Sequence, residues 1–296
     1  MLTAPATIAI EPAKIAAFRR DGYVHLEGLL DADEIAHLGA AVDAAVAARK
    51  RNDGRALAEK SPYEQSFIQC QYLWEDFPDV RPLTFHRAIA GAAVALIGAP
   101  AVRLWHDQAL YKEAGGRETD AHQDHPYWPI AELGALTAWI PLIEADDETG
   151  AMGYVPGSHT GEATFVNIFT EPGSGDGLLA AQERAPVFVP AKPGDALFHH
   201  GLTVHLARPN RSDRTRRVYT AIYFADGCTR AAKGAHPSVD RDAIAVGAPI
   251  DGRATPIAWP LPGDRYPQPE PWPPGFGQNR MFQRAAKLGV FPGVAT

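Results

Sequence analysis

The chain has 296 residues, of which 46% are hydrophobic and 21% are charged, and its formal net charge is −7 at pH 7. This composition is typical of a globular protein with a substantial buried core, and a chain of this length can form one large domain. The acidic balance argues against nucleic acid as the main partner, because nucleic-acid sites normally present a basic surface.

The cysteines and the N-terminus restrict the cellular setting. Cys70 and Cys228 are the only cysteines, too few for a disulfide framework, so we expect two buried free thiols. The N-terminus lacks a basic start followed by an apolar core, and no run of about 18 apolar residues occurs. The sequence therefore predicts a cytoplasmic protein without a membrane span, and it leaves the oligomeric state open.

Helical patterns occupy the first hundred residues. The segment "EPAKIAAFRRDGYVHLEGLL" predicts a short helix, a turn at Gly22 and a short strand. The next segment, 31–50, has apolar residues at helical spacing behind Asp31, which is a suitable N-cap. A second helical run, "LTFHRAIAGAAVALIGAP", is predicted to stop at Gly98.

The pattern of apolar residues changes after about residue 100. Short apolar or alternating runs follow one another between turn signals, among them "VRLWHDQALYKE", "LTAWIPLIEA", "APVFVPAKPGDALFHH" and "RRVYTAIYFAD". Several short strands at this spacing indicate an antiparallel sandwich or barrel. We therefore predict a mainly β fold with flanking helices and a double-stranded β-helix core of the jelly-roll or cupin-like type.

One domain over residues 1–296 accommodates these patterns. Its predicted parts are a helical portion at about 10–100, the β-helix core at about 101–226 and a Pro-rich extension at about 249–296. Proline is excluded from central strands, so the extension should lie over the domain as an extended segment. The stretch "NRMFQRAAKLG" within it favours a small terminal helix.

The stretch "AHQDHPYWP" is the first that suggests chemistry, because it places His122 and Asp124 two positions apart. On a β-strand, residues i and i+2 share a face, so the two side chains would converge on one point. A divalent metal is one reason for this arrangement, and a strand-edge hydrogen bond is the commoner one. His25 and Glu27 have the same spacing in an ordinary segment, so the motif alone is weak.

Three further histidines, His199, His200 and His205, occur within seven residues. In the apolar run "TVHLA", His205 needs a buried partner, which is either the protein core or a metal. Two histidines and one carboxylate form the facial triad of non-haem Fe(II) oxygenases, and such a triad leaves open positions for the co-substrate and dioxygen. A zinc hydrolase using the three clustered histidines is less favoured, because adjacent residues of a strand point to opposite faces.

An anion site strengthens the iron hypothesis. On the strand "RRVYTAIYF", Arg216 shares a face with Val218, while Arg217 takes the other face. Arginine is suited to bidentate capture of a carboxylate, particularly when it is partly buried. A solvated surface charge is the alternative, which we favour for Arg208, Arg211 and Arg214.

The ordered set "FRRDGYVHLEGLL", "HQDHPYW", "TAWIPLIEADDETGAMGYVPGSH" and "PGDALFHHGLTVHLARPNRSDRTRR" resembles the phytanoyl-CoA dioxygenase family of Fe(II)- and 2-oxoglutarate-dependent oxygenases. The resemblance covers about residues 15–226. It implies an enzyme whose cofactor is Fe(II) and whose co-substrates are 2-oxoglutarate and O2. By this resemblance, the iron ligands are His122, Asp124 and His205.

The resemblance also assigns the co-substrate side of the site. Arg216 matches the arginine that binds the distal carboxylate of 2-oxoglutarate, and Trp139 matches a tryptophan near the co-substrate. Gln108 and Lys112 match positions that often face the pocket. Where the family often has serine two residues after the distal histidine, this chain has Ala207, which brings no hydroxyl to the co-substrate. The carboxylate at Asp124 argues against the halogenating variant of the family.

The expected reaction is hydroxylation of an unactivated carbon of a small, largely apolar molecule, with release of succinate and CO2. An apolar substrate wall is expected from four aromatic residues, namely Tyr72, Trp74, Tyr127 and Trp128, although the same residues at core positions would explain the sequence equally well. The alternative function is a non-catalytic metal-binding β-barrel that binds a small molecule, and a zinc hydrolase is less favoured.

Overall fold

Most of the described helices lie before residue 100, and most of the described strands lie after it. The computed structural model describes residues 9–169, 172–232, 234–263 and 265–272, so the predicted terminal helix at 279–289 lies outside the described residues. The helices are α1 Pro12–Asp21, α2 Ala32–Lys50, α3 Pro62–Ser66, α4 Leu73–Asp76, α5 Arg81–Thr84, α6 Arg87–Ile97, α7 Asp176–Ala180 and α8 Pro237–Asp240. Single turns of 3-10 helix lie at Leu57–Glu59, Pro78–Val80, His125–Tyr127 and Ser158–Thr160.

The strands pair into two antiparallel sheets. They are β1 Tyr23–Leu26, β2 Ile68–Gln71, β3 Val102–Lys112, β4 Thr119–His122, β5 Ala135–Pro141, β6 Met152–Tyr154, β7 Val187–Val189, β8 Ala196–His200, β9 His205–Ala207, β10 Arg216–Ala225 and β11 Ile257–Trp259. The larger sheet has the order β1-β8-β5-β10-β3-β11, with β2 also paired to β3, and the smaller has the order β4-β9-β6-β7. The predicted mainly β fold with flanking helices is confirmed.

The N-terminal helix limits follow from their caps. The Asp31 side chain accepts a hydrogen bond from the Glu34 amide at 2.7 Å, as predicted for an N-cap. Gly22 and Gly98 end α1 and α6 in the left-handed conformation, with φ of 81° and 78°. The second helical run is broken before α6, because His86 is extended and accepts a hydrogen bond from the Ala88 amide.

Side chains of the larger sheet alternate between two environments, as strand geometry requires. One face packs in the main hydrophobic core together with residues of α2 and α6; on β5 and β10 its members are Leu136, Ala138, Ile140, Tyr219, Ala221 and Tyr223. The intervening residues face the smaller sheet and the cavity between the sheets; they are Thr137, Trp139, Val218, Thr220 and Ile222. The helices therefore close one face of the larger sheet, and the other face is free to form a site.

One helical stretch, Pro78–Ile97, is long and apolar enough on composition alone to cross a membrane. Its most apolar window is 56% buried inside the protein. The buried face of α6, which includes Ile89 and Leu96, belongs to the main core. This is the environment of a core helix in a globular domain.

The described part of the Pro-rich extension packs against the rest of the domain. Strand β11 lies at the edge of the larger sheet and pairs with the end of β3, so the prolines on either side of it, Pro256 and Pro260, do not interrupt a central ladder. Farther along, Trp272 Nε1 donates a hydrogen bond to Glu75 Oε2 at 2.7 Å, and the Trp272 ring packs edge-on against Tyr72. The predicted limits of the domain and of its parts stay a prediction.

Candidate active site

Two histidines lie directly opposite each other on neighbouring strands. His122 ends β4, and its partner in the β4-β9 ladder is His205, the first residue of β9. Residues directly opposite in an antiparallel pair project to the same face, so their side chains meet. The two ring centroids are 4.2 Å apart.

Asp124 reaches the same point by a turn and not along a strand. We predicted that His122 and Asp124 share a strand face, and this is wrong, because β4 stops at His122 and Asp124 has helical backbone angles at the start of a 3-10 turn. The turn is anchored from both sides: Gln123 Nε2 donates to Leu202 O at 2.8 Å, and the His125 amide donates to Gly201 O at 2.8 Å. His125 is thereby directed away from the site.

The three side chains converge as a candidate metal site, called the triad below. Asp124 Oδ1 lies 3.8 Å from His122 Nε2 and 3.7 Å from His205 Nε2. One ligand atom from each residue falls within 4.8 Å of the other two. These separations exceed hydrogen-bond length and suit three ligands around one ion.

Backbone carbonyls fix the tautomer of both histidines. His122 Nδ1 lies 2.8 Å from Asp120 O, and His205 Nδ1 lies 2.9 Å from Thr203 O. A carbonyl only accepts, so each Nδ1 carries the proton and each Nε2 keeps its lone pair for a metal. This donor set fits Fe(II), whose facial triad consists of two imidazoles and one carboxylate.

The second oxygen of Asp124 is held by the larger sheet. Thr137 Oγ1 donates to Asp124 Oδ2 at 2.7 Å, and His199 Nε2 lies 3.2 Å from the same oxygen. The carboxylate can only accept, so the proton of His199 is on Nε2 and directed at Asp124. Oδ2 is therefore occupied, and Oδ1 is left for the metal. We did not identify Thr137 from the sequence, although an isolated hydroxyl in the run "ALTAWIP" was its signal.

Burial sets the charge state of the triad. Burial, aided by the neighbouring histidine, lowers the pKa of His122 and of His205 to about 4. Burial alone would raise the pKa of Asp124, but the histidines around it, His205 foremost, hold that pKa far below its usual range. At neutral pH the site therefore contains neutral imidazoles and a carboxylate, the form that binds divalent metals.

We expect the metal-free protein to lose stability as the pH falls from about 6.5 towards 4. In the unfolded chain a histidine has a pKa near 6.5, whereas His122 and His205 have pKa values of about 4 in the folded protein. Between these values the unfolded state binds more protons than the folded state, so lowering the pH favours unfolding. The loss is about 1–2 kcal/mol for each of these histidines at pH 5. Urea unfolding at pH 7 and pH 5 measures it, and the double variant H122Q/H205Q should show a shallower pH dependence. An equal dependence in both proteins would contradict the expectation.

Thr137→Val should weaken metal binding by roughly tenfold, within the range seen when a group that orients a ligand is lost. Valine keeps the shape of the side chain but removes the donor to Asp124 Oδ2. The matched control is Thr220→Val, because Thr220 is also buried on the inner face of the sheet and its hydroxyl does not contact Asp124. Equilibrium dialysis with Fe(II) under argon gives both affinities. Equal affinity in the two variants would mean that Thr137 is dispensable.

Arg216 is fully enclosed in the same cavity. Its side chain is 1% exposed, Nη1 donates to Gly150 O at 2.6 Å, and Nε has no hydrogen-bond partner among the described residues. The guanidinium carbon lies 5.5 Å from the centroid of the Trp139 ring. No carboxylate of a described residue forms a salt bridge with Arg216. Burial lowers the pKa of Arg216 to about 10, so the guanidinium is still charged at neutral pH. A buried cation without a counter-charge is suited to an anionic ligand.

Of the other residues expected near the co-substrate, some line the cavity and one does not. Gln108, Trp139 and Ala207 line the cavity. Lys112 does not line it, because its ammonium group donates to Arg117 O and lies 3.4 Å from Thr119 Oγ1. Burial, followed by the nearby charge of Arg216, lowers the pKa of Lys112 well below its usual value. The predicted pocket-facing position is therefore not observed for Lys112.

Two of the four aromatic residues expected in the substrate wall line the cavity, Tyr127 and Trp128. Tyr72 and Trp74 do not, because Tyr72 follows β2 with a left-handed backbone (φ 54°) and turns the chain into α4. Trp74 then packs edge-on against Phe85 in the main core. The expected role of Tyr72 and Trp74 in the wall is thus corrected.

Other side chains complete the cavity, whose volume is about 1140 Å³ including its open part. Residues that we did not predict supply apolar and polar parts of its lining: Tyr63, Phe67, Gln69, Gln71, His106, Ile168, Phe169 and His236. The segment 62–71 has no helical period, and the alternation Gln69-Cys70-Gln71 was the signal that two polar side chains share one face.

Two other histidines, His200 and His25, have structural partners. His200 Nε2 donates to Leu133 O at 2.8 Å, so the clustered histidines 199, 200 and 205 do not converge as a zinc hydrolase would require. His25, which has the same spacing to a carboxylate as His122, instead lies 3.0 Å from Asp195 across the β1-β8 pair. Identical spacing therefore leads to a strand-edge hydrogen bond in one place and to the triad in the other.

A jelly-roll pair of sheets with two histidines, one carboxylate and a buried arginine facing one cavity defines the class of Fe(II)- and 2-oxoglutarate-dependent oxygenases. The family model described as phytanoyl-CoA dioxygenase (PhyH) matches residues 18–218. The chain belongs to this family, and its cofactor and co-substrates are those predicted, Fe(II), 2-oxoglutarate and O2.

Curated relatives match either part or most of this chain. A Caenorhabditis elegans phytanoyl-CoA dioxygenase domain-containing protein 1 homolog is 34% identical over 36% of this chain, and the match spans 40% of the worm protein's length. A methylphosphonate hydroxylase of Gimesia maris is 26% identical over 72% of this chain and 80% of its own length.

Solved structures agree over most of the fold. The non-haem alpha-ketoglutarate-dependent carbocyclase SnoK from nogalamycin biosynthesis is 28% identical with a TM-score of 0.71, and the alignment covers 86% of this chain and 99% of SnoK. The epimerase SnoN, in complex with Fe3+, alpha-ketoglutarate and nogalamycin RO, is 29% identical with a TM-score of 0.67 over 84% of this chain and 100% of SnoN.

Proposed function

We propose that this chain hydroxylates an unactivated carbon of a small, largely apolar molecule, consuming 2-oxoglutarate and O2 and releasing succinate and CO2. The observation that carries the proposal is that the triad and the buried cation of Arg216 line one cavity between the two sheets. A cytoplasmic location stays a prediction.

Each member of the triad has a role that follows from its contacts. His122 and His205 would bind Fe(II) through Nε2, and Asp124 through Oδ1, while their remaining polar atoms are held by the protein. Bound iron supplies oxidative chemistry with O2 that no protein side chain provides. The protein restrains the ligands in one orientation before the metal arrives, which lowers the cost of assembling the site.

Arg216 would anchor the distal carboxylate of 2-oxoglutarate. Its buried guanidinium offers a donor at Nε that no described residue uses, and charge-assisted hydrogen bonds are strongest where water is excluded. Trp139, whose Nε1 also has no described partner, borders the same space. Ala207 adds no hydroxyl, so we assign the far end of the co-substrate to Arg216.

The first experiment is an anaerobic titration of the metal-free protein with Fe(II) and then with 2-oxoglutarate. The weak visible charge-transfer band of a chelated keto acid is expected, and admission of O2 should release succinate. If metal binds and no band appears, the co-substrate assignment is wrong.

The alternative is a metal-containing binding protein without catalysis. It predicts iron binding and small-molecule binding with no succinate release at any substrate concentration. Arg216 is buried and forms no salt bridge with a described residue, which favours the enzyme, because a binder of apolar molecules has no need of a costly buried cation.

A further inference from the structure

Three glutamines form a polar patch on one wall of the cavity. Gln69 and Gln71 lie two residues apart on β2, and Gln71 is the direct ladder partner of Gln108 on β3. All three line the cavity, whereas Cys70 between them is buried in the main core. We call Gln69, Gln71 and Gln108 the glutamine face.

Hydrogen bonds within the glutamine face fix the direction of its amides. Gln108 Oε1 accepts from Gln69 Nε2 at 2.6 Å and from Gln71 Nε2 at 3.4 Å. Gln69 Oε1 in turn accepts from Tyr63 Oη at 3.0 Å. The carbonyl of Gln108 is thus occupied, and the described residues provide no acceptor for its two Nε2 hydrogens.

His106 extends this face along β3. It lies two residues before Gln108, lines the cavity and is 4% exposed, and its Nδ1 has no hydrogen-bond partner among the described residues. Burial lowers the pKa of His106 to about 4, so the ring is neutral at neutral pH. A buried polar atom without a partner is unusual in a folded protein, and this one belongs to a residue of the cavity lining.

Apart from Asp124 and Arg216, the described lining offers the substrate no charged side chain. Among the described residues that line the cavity, Asp124 and Arg216 are the only Asp, Glu, Lys or Arg, and both are assigned to iron and co-substrate. The remaining wall is largely aromatic and aliphatic, and includes Tyr63, Phe67, Tyr127, Ile168 and Phe169. A phosphate or phosphonate would be buried here without a counter-charge, which is costly.

We propose that the glutamine face and His106 recognise a carbonyl or hydroxyl oxygen of an uncharged substrate whose flat apolar body packs against the aromatic wall. This inference rests on the proposed function, because it assumes that Arg216 and the triad are taken by co-substrate and metal. It sets the chain apart from enzymes that act on phosphonates and from those that hold a coenzyme A group inside the pocket.

The test compares three probes that share one ring system: naphthalene, 2-acetylnaphthalene and 2-naphthyl phosphate. Equilibrium dialysis against the protein loaded with Fe(II) and 2-oxoglutarate, without O2, is expected to show 2-acetylnaphthalene binding about tenfold more tightly than naphthalene, the effect of one good hydrogen bond. The phosphate should bind most weakly. Gln108→Leu should abolish the preference for the ketone and leave the Kd for naphthalene unchanged.

A matched variant separates recognition from folding. Gln65→Leu changes a glutamine that bonds to Lys60 O and does not line the cavity, so it should keep the preference for the ketone. Tightest binding of the phosphate, no binding of the ketone, or an equal loss for ketone and naphthalene in Gln108→Leu would each overturn the inference. The keto-acid band recorded on the same samples reports the proposed function separately, so its absence would identify failure of that function.

Discussion

Replacing Asp124 with asparagine is expected to weaken Fe(II) binding by more than about 100-fold and to stop succinate release at micromolar iron. Asparagine preserves the size of the side chain but removes the negative charge, and Asp124 Oδ1 is the only carboxylate oxygen that faces both Nε2 atoms in the described site. Loss of a direct ligand should exceed the 10–100-fold effect of losing a group that only orients one. Metal content after dialysis and succinate release by chromatography measure the two effects.

Asp195→Asn is the control for this substitution. Asp195 is also a buried carboxylate beside a histidine, His25, but it lies at the β1-β8 end of the sheet and accepts from the Gly28 and Lys192 amides. Its replacement should affect the free energy of unfolding and leave the metal affinity unchanged. Wild-type iron binding by the Asp124→Asn protein would remove Asp124 from the ligand set.

The helical caps and the alternation of side chains along single strands could be anticipated because they depend on local chemistry. Asp31 as an N-cap and Gly98 as a left-handed stop act within one turn of the chain, so a single sequence contains the whole signal. The alternation of β10, with Arg216 on the inner face and Arg217 outside, is likewise local, since it follows from the period of two.

The approach of His122 to His205 depends on a register that no local pattern encodes. Eighty-two residues separate the two, and their contact is a consequence of β4 pairing with β9 in one particular alignment. Asp124 is the sharper case. Asp124 reaches the two histidines through a turn, because side-chain and backbone hydrogen bonds to Leu202 and Gly201 turn the chain where a strand was expected. Its role as a metal ligand stays a prediction.

The substrate wall was the least predictable part of the site. Aromatic residues serve cores and pockets equally well. Tyr127 and Trp128 line the cavity, whereas Tyr72 and Trp74 do not, because the left-handed backbone of Tyr72 redirects the chain. Thr137 and the glutamine face are polar groups within or beside apolar strands. Such isolated polar residues mark a site more reliably than aromatic residues do, because burial makes them costly unless they have a partner.

Arg216→Ala is expected to raise the Kd for 2-oxoglutarate by at least about 100-fold while Fe(II) binding changes little. The substitution removes the charge-assisted hydrogen bonds of a guanidinium that is 1% exposed, and two such bonds contribute roughly 3–6 kcal/mol in a site without water. The triad lies on β4, on β9 and in the turn after β4, and it keeps its own hydrogen bonds, so the metal is retained. The charge-transfer band should therefore appear, but only at much higher 2-oxoglutarate concentrations.

The neighbouring residue provides the matched control. Arg217 lies next to Arg216 on β10 but on the opposite face, where it pairs with Asp43 and its side chain is 37% exposed. Arg217→Ala removes the same charge from the same strand at a distance from the cavity, so the Kd for 2-oxoglutarate should stay at the wild-type value. A similar increase in both variants would indicate a general electrostatic effect of the strand, and no increase in Arg216→Ala would mean that another group holds the distal carboxylate.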